Sequence, residues 1–312
     1  MICASRATQL IDVHVDARGR RTLAGGLFAE AQGSLHMNLL SRSHRGDGRP
    51  WPHSVLAKLR GVVCDIDGTL TTDGRLTAAA YGALEKLQKA GLLVVPVTGR
   101  PAGWCDLIAR LWPVDAVVGE NGAFYFRYDQ AARRMIRGYL RTAENRVRDR
   151  ERMQGIADDV LRQVPGAALA ADQRYRETDL AIDYCEDVVP LSLADARRIA
   201  GAMEAHRMNV KISSIHVNGW FGAYDKLAAV RRLMREQFGI DLDAQRERFV
   251  FVGDSPNDEP MFAFFPYAAA VANVARFLPE LHSRPGHVTR RAEGAGLVEL
   301  VREVLRARRA IV

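Results

Sequence analysis

The sequence of 312 residues has little cysteine, few aromatic residues and no long apolar run. Its four cysteines form no Cys-x-x-Cys pair, so we expect neither a zinc site nor a disulfide framework. Two of them, Cys64 and Cys185, lie within apolar strand-like runs and are expected to be buried thiols. No apolar run approaches the roughly 18 residues of a membrane span, and no secretory signal pattern opens the chain. The sequence therefore predicts a cytoplasmic protein without a membrane partner.

Basic residues outnumber acidic ones, 44 to 37, which gives a formal net charge of +7. Clustered Lys and Arg would favour binding to nucleic acid, because they neutralise phosphates. In this chain most of the arginines lie in helix-like segments between acidic residues, without the aromatic pattern of nucleic-acid-binding proteins. We therefore expect solvated helix faces and no nucleic-acid partner. The positive field still favours an anionic metabolite.

From residue 56 onward, apolar strand-like runs alternate with amphipathic helix-like runs, which predicts an α/β fold with a doubly wound, Rossmann-like parallel sheet. Residues 1–55 lack any sustained periodicity, and we expect a flexible N-terminal extension there. Strands are predicted at 61–66, 92–97, 115–118, 248–252 and 268–271. Helices are predicted at 77–90, 101–111, 224–238, 258–264 and 296–307.

The pattern changes in the middle of the chain, where paired strand-like runs and a long polar helix replace the alternation. Antiparallel strands and helices inserted between parallel units predict an α+β cap domain. We therefore expect a core formed by residues 56–128 and 222–312 and an inserted cap at 129–221. Its elements, together with the hairpin strand before it, are predicted at 123–128, 142–164, 178–185, 192–206, 209–213 and 215–220.

Two carboxylates, Asp65 and Asp67, follow the apolar run at residues 61–64. They are placed at the carboxyl end of a strand, where open α/β sheets bind ligands. The first carboxylate can attack phosphorus and the second can carry a proton. An EF-hand loop starting at Asp65 would need glycine at its sixth position and glutamate at its twelfth, where the chain has Leu70 and Leu76. An ordinary Asp-Gly turn after a buried strand is the alternative.

Three further polar segments lie at predicted strand-to-helix junctions. They are Thr98-Gly99-Arg100, Asp225-Lys226 and Gly253-Asp254-Ser255-Pro256-Asn257-Asp258. Right-handed crossovers between parallel strands bring the strand ends together along one edge of the sheet. We therefore expect the three segments to lie close to Asp65.

Each segment suits a phosphate or metal site, and most have an ordinary alternative. The Thr98 hydroxyl and nearby backbone N–H groups can hold phosphate oxygens, or Thr98 can cap a helix. Lys226 can neutralise a nucleophile and a transferring phosphoryl group, or be a solvated helix charge. Asp254 offers the oxygen ligands that magnesium prefers, while Asn257 and Asp258 can be helix caps. Together, in this order, the segments favour a phosphate site.

The four segments resemble the motifs of the haloacid dehalogenase superfamily of phosphohydrolases, over about residues 60 to 305. The expected cap, between Thr98 and Lys226, resembles that of subclass IIB, which includes Cof-type, sucrose-phosphate and mannosyl-3-phosphoglycerate phosphatases. The segment Glu120-Asn121-Gly122 also resembles a family feature that borders the site.

The resemblance implies a role for each motif residue. Asp65 would be the nucleophile that forms an aspartyl-phosphate, and Asp67 would protonate the leaving oxygen and then activate water. Thr98 and Lys226 would hold the phosphoryl group. The further substrate-binding residues implied are Gly68, Thr69, Gly99, Arg100 and Asn257. The implied Mg²⁺ ligands are Asp65, Asp67 (through its carbonyl), Asp254 and Asp258.

The resemblance thus implies a Mg²⁺-dependent phosphoric monoester hydrolase whose partner is a small phosphorylated metabolite, such as a sugar phosphate. A phosphomutase of the phosphomannomutase type and a non-catalytic binding or regulatory protein are the alternatives, and the oligomeric state is left open. We expect specificity to come from cap side chains that close over the leaving group. The candidates are Arg174, Arg176 and Lys211, with His216 and Asn218 on one face of their strand.

Overall fold

The computed structural model describes residues 13–15, 21–23, 53–213 and 215–310. The strands β1 (Val13–Val15) and β2 (Arg21–Leu23) form an antiparallel pair of their own. The rest of the predicted N-terminal extension, apart from residues 53–55, lies outside the described residues.

Twelve further strands in the described ranges build two sheets. They are β3 (Gly61–Asp65), β4 (Leu93–Val97), β5 (Val117–Gly119), β6 (Phe124–Asp129), β7 (Arg134–Tyr139), β8 (Ala168–Leu169), β9 (Asp179–Asp183), β10 (Asn209–Ile212), β11 (His216–Trp220), β12 (Phe249–Gly253), β13 (Ala268–Ala270) and β14 (His287–Val288).

The α-helices of the described chain lie mainly between these strands. They are α1 (His53–Leu56), α2 (Ala78–Lys89), α3 (Ala102–Leu111), α4 (Ala143–Gln163), α5 (Leu193–Ala205), α6 (Lys226–Phe238), α7 (Leu242–Gln245), α8 (Glu259–Phe264) and α9 (Glu293–Arg309). Within the part of the chain that the structure covers, none of them combines the length and apolarity needed to cross a bilayer.

The larger sheet has the order β14-β13-β12-β3-β4-β5-β6-β7. The strands from β14 to β5 run parallel, and β6 and β7 add an antiparallel hairpin at one edge. Both faces are covered. Val62 and Cys64 pack in one apolar cluster with α2, α3 and α9, whereas Val63 between them packs in a second cluster with α6 and α8. This confirms the predicted α/β fold with a doubly wound, mainly parallel sheet.

The smaller sheet is antiparallel, in the order β10-β11-β9-β8. Val217 faces an apolar cluster with Val160 of α4 and Ile199 of α5. Trp220, on the opposite face of β11, packs in a cluster of the larger sheet. The smaller sheet therefore lies with one face on its own helices and the other toward the larger sheet.

Three details differ from the sequence-based expectations. The strand β7 pairs with β6 in the larger sheet, although residues 134–139 were assigned to the cap, because its half-exposed edge pattern gives a weak strand signal. The last helix begins at Glu293 rather than at residue 296. Cys185 is disulfide-bonded rather than a thiol, since sequence spacing does not reveal which chain segments meet. Cys64 is a free, buried thiol, as expected.

Candidate active site

The site is built around Asp65, the last residue of β3. Every residue of this strand is buried, and β3 pairs with β4 on one side and with β12 on the other. Thr98 directly follows β4, and Asp254 directly follows β12. Three neighbouring parallel strands therefore bring Asp65, Thr98 and Asp254 to one edge of the sheet, as predicted.

Lys226, the first residue of α6, reaches into this edge from the side. Its Nζ lies 2.7 Å from Asp65 Oδ1 and 2.7 Å from Asp258 Oδ1, and the side chain is almost fully buried. The carboxylate of Asp225 caps the helix by accepting a hydrogen bond from the N–H of Ala228 at 2.7 Å. Burial acts to lower the pKa of Lys226, but the carboxylates of Asp258 and Asp65 outweigh it and raise that pKa above its usual value. Lys226 is thus a buried ammonium ion and not a solvated helix charge.

Three buried carboxylates, from Asp65, Asp254 and Asp258, each place one oxygen within 4.8 Å of the others. Burial raises the pKa of Asp65 well above its usual range, although Lys226 opposes it, and burial together with Asp258 raises the pKa of Asp254 to about 7. The single positive charge of the Lys226 ammonium does not balance the negative charges of three carboxylates at this distance. Hard oxygen ligands with a net negative charge suit a hard cation such as Mg²⁺.

Both oxygens of Asp258 are already bonded, one to Lys226 and the other to the N–H of Asp254 at 3.1 Å. The helix-cap explanation of Asp258 therefore does not apply, and its side chain caps no helix. On the other side of the cluster, the Asn273 amide donates to Asp254 Oδ2 at 2.8 Å and to the carbonyl of Gly68 at 2.9 Å. Asn273 fits none of the four sequence motifs and was not predicted.

The backbone after Asp65 turns sharply at Gly68, which has a φ of +74°. A Cβ at this position would lie 2.7 Å from Asp254 Oδ2, so the close approach of the turn to the acidic cluster requires glycine. Thr69 is buried behind this turn, with its hydroxyl 3.5 Å from Asp254 Oδ1. Asn257 is half-buried and accepts a hydrogen bond from the hydroxyl of Ser255 at 2.9 Å.

The carboxylate of Asp67 points away from the acidic cluster and toward Arg100. Arg100 Nε lies 3.0 and 3.1 Å from the two Asp67 oxygens, and Arg100 Nη2 lies 2.9 Å from Oδ1. The Thr98 hydroxyl donates to Asp67 Oδ2 at 3.4 Å and accepts from the N–H of Arg100 at 3.0 Å. Burial acts to lower the pKa of Arg100, and Asp67 outweighs it and raises that pKa. Asp67 is therefore held in a fixed orientation two residues from Asp65.

Comparisons with known proteins identify similar hydrolases. A family model for haloacid dehalogenase-like hydrolases matches residues 62–143. The phosphoglycolate phosphatase of Methanosarcina mazei is 27% identical over 247 residues, which cover 78% of this chain and 96% of that protein. These matches confirm the predicted resemblance to the haloacid dehalogenase superfamily. With phosphatase relatives that match over almost their whole length, this hydrolase is a phosphoric monoester hydrolase, as the sequence predicted.

Two solved structures share the fold of this haloacid dehalogenase-like hydrolase. A HAD/Cof-like hydrolase from Plasmodium vivax has a TM-score of 0.59 at 18% identity, covering 81% of this chain and 99% of that one. The sucrose-phosphatase of Synechocystis, solved with sucrose and phosphate, has a TM-score of 0.54 at 15% identity, covering 79% and 98%. Both matches agree with the predicted α/β fold.

In this hydrolase a chain of polar contacts connects Asp67 to the smaller sheet. Arg100 Nη1 lies 3.3 Å from Glu186 Oε1, and Glu186 Oε2 lies 2.9 Å from His216 Nε2. The contact with His216 lowers the pKa of Glu186 to about 2. Arg100 also lowers this pKa, and burial acts in the opposite direction. Glu186 was not predicted as a site residue, because no local pattern shows that it meets Arg100.

A second buried carboxylate, Glu120, connects the two sheets next to the site. It accepts hydrogen bonds from the N–H groups of Ala102, Glu177 and Thr178 at 2.9, 2.9 and 2.6 Å. Burial, with a contribution from Asp179, raises the pKa of Glu120 to about 7. The segment Glu120–Gly122, singled out in the sequence, thus fastens the start of α3 to the segment before β9.

The predicted cap residues divide into buried and exposed ones. Arg176 bonds to Asp172, to Asp179 and, at 3.0 Å, to the carbonyl of Gly99. Asn218 donates to Asp179 at 3.0 Å. His216 and Asn218 are buried on the face of β11 that also holds Trp220, whereas Arg174 and Lys211 are exposed. A substrate contact of these five residues stays a prediction.

Proposed function

We propose that this hydrolase is a Mg²⁺-dependent phosphatase that cleaves the monoester of a small phosphorylated metabolite, such as a sugar phosphate, through an aspartyl-phosphate on Asp65. The observation that carries the proposal is the position of Asp65 between the Lys226 ammonium and the carboxylates of Asp254 and Asp258, with Asp67 two residues away. A cytoplasmic location stays a prediction from the sequence.

In the first step, an Asp65 oxygen attacks phosphorus and the bond from phosphorus to the ester oxygen breaks. Asp67 gives its proton to that leaving oxygen, so an alcohol departs and Asp65 carries the phosphoryl group. Lys226, whose Nζ contacts Asp65, and the Thr98 hydroxyl, which contacts Asp67, would hold phosphoryl oxygens.

In the second step, the Asp67 carboxylate takes a proton from water while the water oxygen attacks phosphorus. The bond to Asp65 then breaks, and inorganic phosphate and the free Asp65 carboxylate result. The divalent cation, held by Asp65, Asp254 and Asp258, would offset the repulsion between the nucleophile and the phosphate anion. Asp67 is suited to both proton transfers because Arg100 and Thr98 fix its orientation.

We also propose that the smaller sheet with α4 and α5 acts as a cap that closes over the leaving group. The support is the set of contacts from this part to the site, in which Glu186 meets Arg100 and Arg176 meets the carbonyl of Gly99. Sheet membership favours a cap that begins after Tyr139 and ends near residue 221, a shorter cap than the one expected from sequence.

The test is release of inorganic phosphate from a panel of phosphomonoesters that includes phosphoglycolate and several sugar phosphates. We expect activity with Mg²⁺, loss of activity with a chelator, and loss in Asp65→Asn. Asp73→Asn is the matched control, because Asp73 is an exposed carboxylate in the same loop. Isomerisation of a sugar phosphate without phosphate release would replace the phosphatase by a phosphomutase, and unchanged activity in Asp65→Asn would exclude the proposed nucleophile.

A further inference from the structure

An apolar groove of about 330 Å³ lies beside Asp67, between the loop after β3 and the outer face of α3. Among its lining residues only Asp67 and Arg100 carry a charge, and most of the wall is apolar, with Leu76, Trp104 and Leu107 among its members. The groove is therefore continuous with the proton-transferring end of the site.

Two large apolar side chains of the groove are open to solvent. Trp104 is 44% exposed and Leu107 is 51% exposed, and they share one face of α3 because they are three residues apart. Cys105 and Ile108 of the same helix are buried in the core, and Ile108 forms part of the groove floor. Packing in the core therefore does not explain why the residues at positions 104 and 107 are apolar. Contiguous exposed apolar side chains are typical of binding sites.

The shape of the groove is fixed by its neighbours. The guanidinium of Arg100 lies 4.5 Å from the centre of the Trp104 ring and holds this ring beside Asp67. At Gly103 an added Cβ would lie 3.0 Å from the Cβ of Tyr175, so the proposed cap touches α3 one residue before Trp104. The groove is bordered by the same cap that approaches the site.

The charges of the groove restrict its occupant. Besides its bonds to Asp67, Arg100 Nη1 lies 3.3 Å from Glu186 Oε1 and 3.9 Å from Asp172 Oδ2, so its charge is compensated within the protein even when Asp67 carries a proton. A second carboxylate or phosphate on the substrate would find no uncompensated cation in this lining. The occupant is accordingly uncharged and apolar.

We infer that the groove binds the apolar part of the leaving group, and that the substrates are phosphomonoesters of alcohols or phenols with an uncharged chain or ring. This inference rests on the proposed function, in which Asp67 protonates the leaving oxygen. The carbon attached to that oxygen then lies next to Asp67, and the groove is the apolar space that continues from there. Leu107 sets specificity by contacting the chain beyond the reacting atoms.

The experiment compares ethyl, butyl and hexyl phosphate with the full chain and Mg²⁺. Their leaving alcohols are about equally acidic, so differences in kcat/KM report binding of the chain and not the chemistry. We expect kcat/KM to rise about fourfold for each methylene that enters the groove. Leu107→Gln should lower the ratio of kcat/KM for hexyl to that for ethyl phosphate by about tenfold. Leu111→Gln changes a more exposed leucine of α3, 67% exposed and outside the groove lining, and should leave the ratio unchanged.

The outcomes separate this inference from the proposed function. Phosphate release from all three esters without any dependence on chain length would overturn the groove assignment and leave the phosphatase intact. A chain-length dependence that persists in Leu107→Gln would place the chain elsewhere and also overturn it. A loss of self-association in Leu107→Gln, without a change in the ratio, would assign this face to a second copy of the chain. No phosphate release from any monoester in the wider panel would contradict the proposed function itself.

Discussion

At the scale of single residues, the side chains of Asp65 and Asp67 point to different partners although only Ile66 separates them. Asp65 meets Lys226 and the acidic cluster, whereas Asp67 meets Arg100 and Thr98. The first environment suits a nucleophile beside a cation, and the second suits a proton carrier of fixed orientation. The different roles proposed for the two acids, nucleophile and proton carrier, follow from these separate contacts.

Asp67→Asn removes the proton donor and keeps the shape of the side chain. We expect kcat/KM for alkyl phosphates to fall by about 10²- to 10⁴-fold, because an alkoxide leaves poorly without a proton. The same variant should lose far less with p-nitrophenyl phosphate, whose phenolate leaves without protonation. Steady-state kinetics with both substrates tests this, and an equal loss for both would rule out leaving-group protonation by Asp67.

Glu186→Gln tests the contact between the proposed cap and Arg100. The folded-state pKa of Glu186, about 2, lies below its ordinary value, so its charge stabilises the fold fully above pH 4.5. This contribution is lost as the pH falls toward 2. Because the side chain is about one-third exposed, we expect a loss of only about 1–2 kcal/mol in the variant at pH 7. Urea unfolding of both proteins at pH 7 and pH 3.5 should show the difference shrinking at the lower pH.

The sequence predicted the residues whose neighbours are fixed by strand order and missed those brought in by long-range packing. Asp65, Thr98, Lys226 and Asp254 meet because each lies at a strand end or helix start on one sheet edge. Asn273 has no such position in a recognisable motif, although its amide bonds to Asp254. The same limit affects Glu186, which reaches the site only after the second sheet has packed on the first.

At the scale of elements, the turn Glu120–Gly122 after β5 determines where α6 begins. Glu120, Asn121 and Gly122 all have positive φ, of 43°, 55° and 106°. A Cβ at Gly122 would lie 2.1 Å from the carbonyl oxygen of Asp225. Because Asp225 caps α6, this close approach sets the position of the following Lys226.

Gly122→Ala should therefore damage both stability and activity. We expect a loss of at least about 2 kcal/mol, from the left-handed backbone and the clash with Asp225. The displaced helix start moves Lys226 away from Asp65, so kcat should also fall at temperatures where the variant is fully folded. Gly91→Ala is the control, because Gly91 also has a positive φ, its Cβ would meet nothing within 4 Å, and it lies outside the groove. Equal kcat values for the two folded variants would contradict this positioning role.

The hairpin strand β7 shows where element prediction fails. Residues 134–139 contain two arginines and a glycine, and only one of the six is buried. The strand exists because β6 supplies hydrogen-bonding partners along its whole length and Tyr139 packs beside Phe124 and Phe126. Pairing of this kind depends on the neighbouring strand and leaves little trace in local periodicity.

At the scale of the whole molecule, the three carboxylates of the site form an unbalanced charge cluster at the contact of three distant chain segments. Asp65, Lys226 and the pair Asp254 and Asp258 come from different strands and helices. A cation bound here would therefore join parts of the fold that are far apart in sequence.

Mg²⁺ should raise the unfolding temperature, and at about 100 times its Kd the stabilisation should reach about 2.7 kcal/mol. Asp254→Asn should remove most of this gain. In the absence of metal the same variant should be at least as stable as the unmodified protein, because it relieves the repulsion with Asp258. Thermal unfolding with Mg²⁺ and with chelator checks both expectations, and an undiminished Mg²⁺ effect in the variant would place the metal elsewhere.

The central position of β3 in the larger sheet affects how the chain folds as it is synthesised. One edge of β3 pairs with β4, which follows soon in the sequence, but the other pairs with β12 at residues 249–253. At roughly 5–20 residues per second, a ribosome needs about ten to forty seconds to make the intervening segment. The smaller sheet is completed during this interval, while β3 keeps an unpaired apolar edge. Nascent chains of this hydrolase should therefore need protection from strand-to-strand association until β12 has emerged.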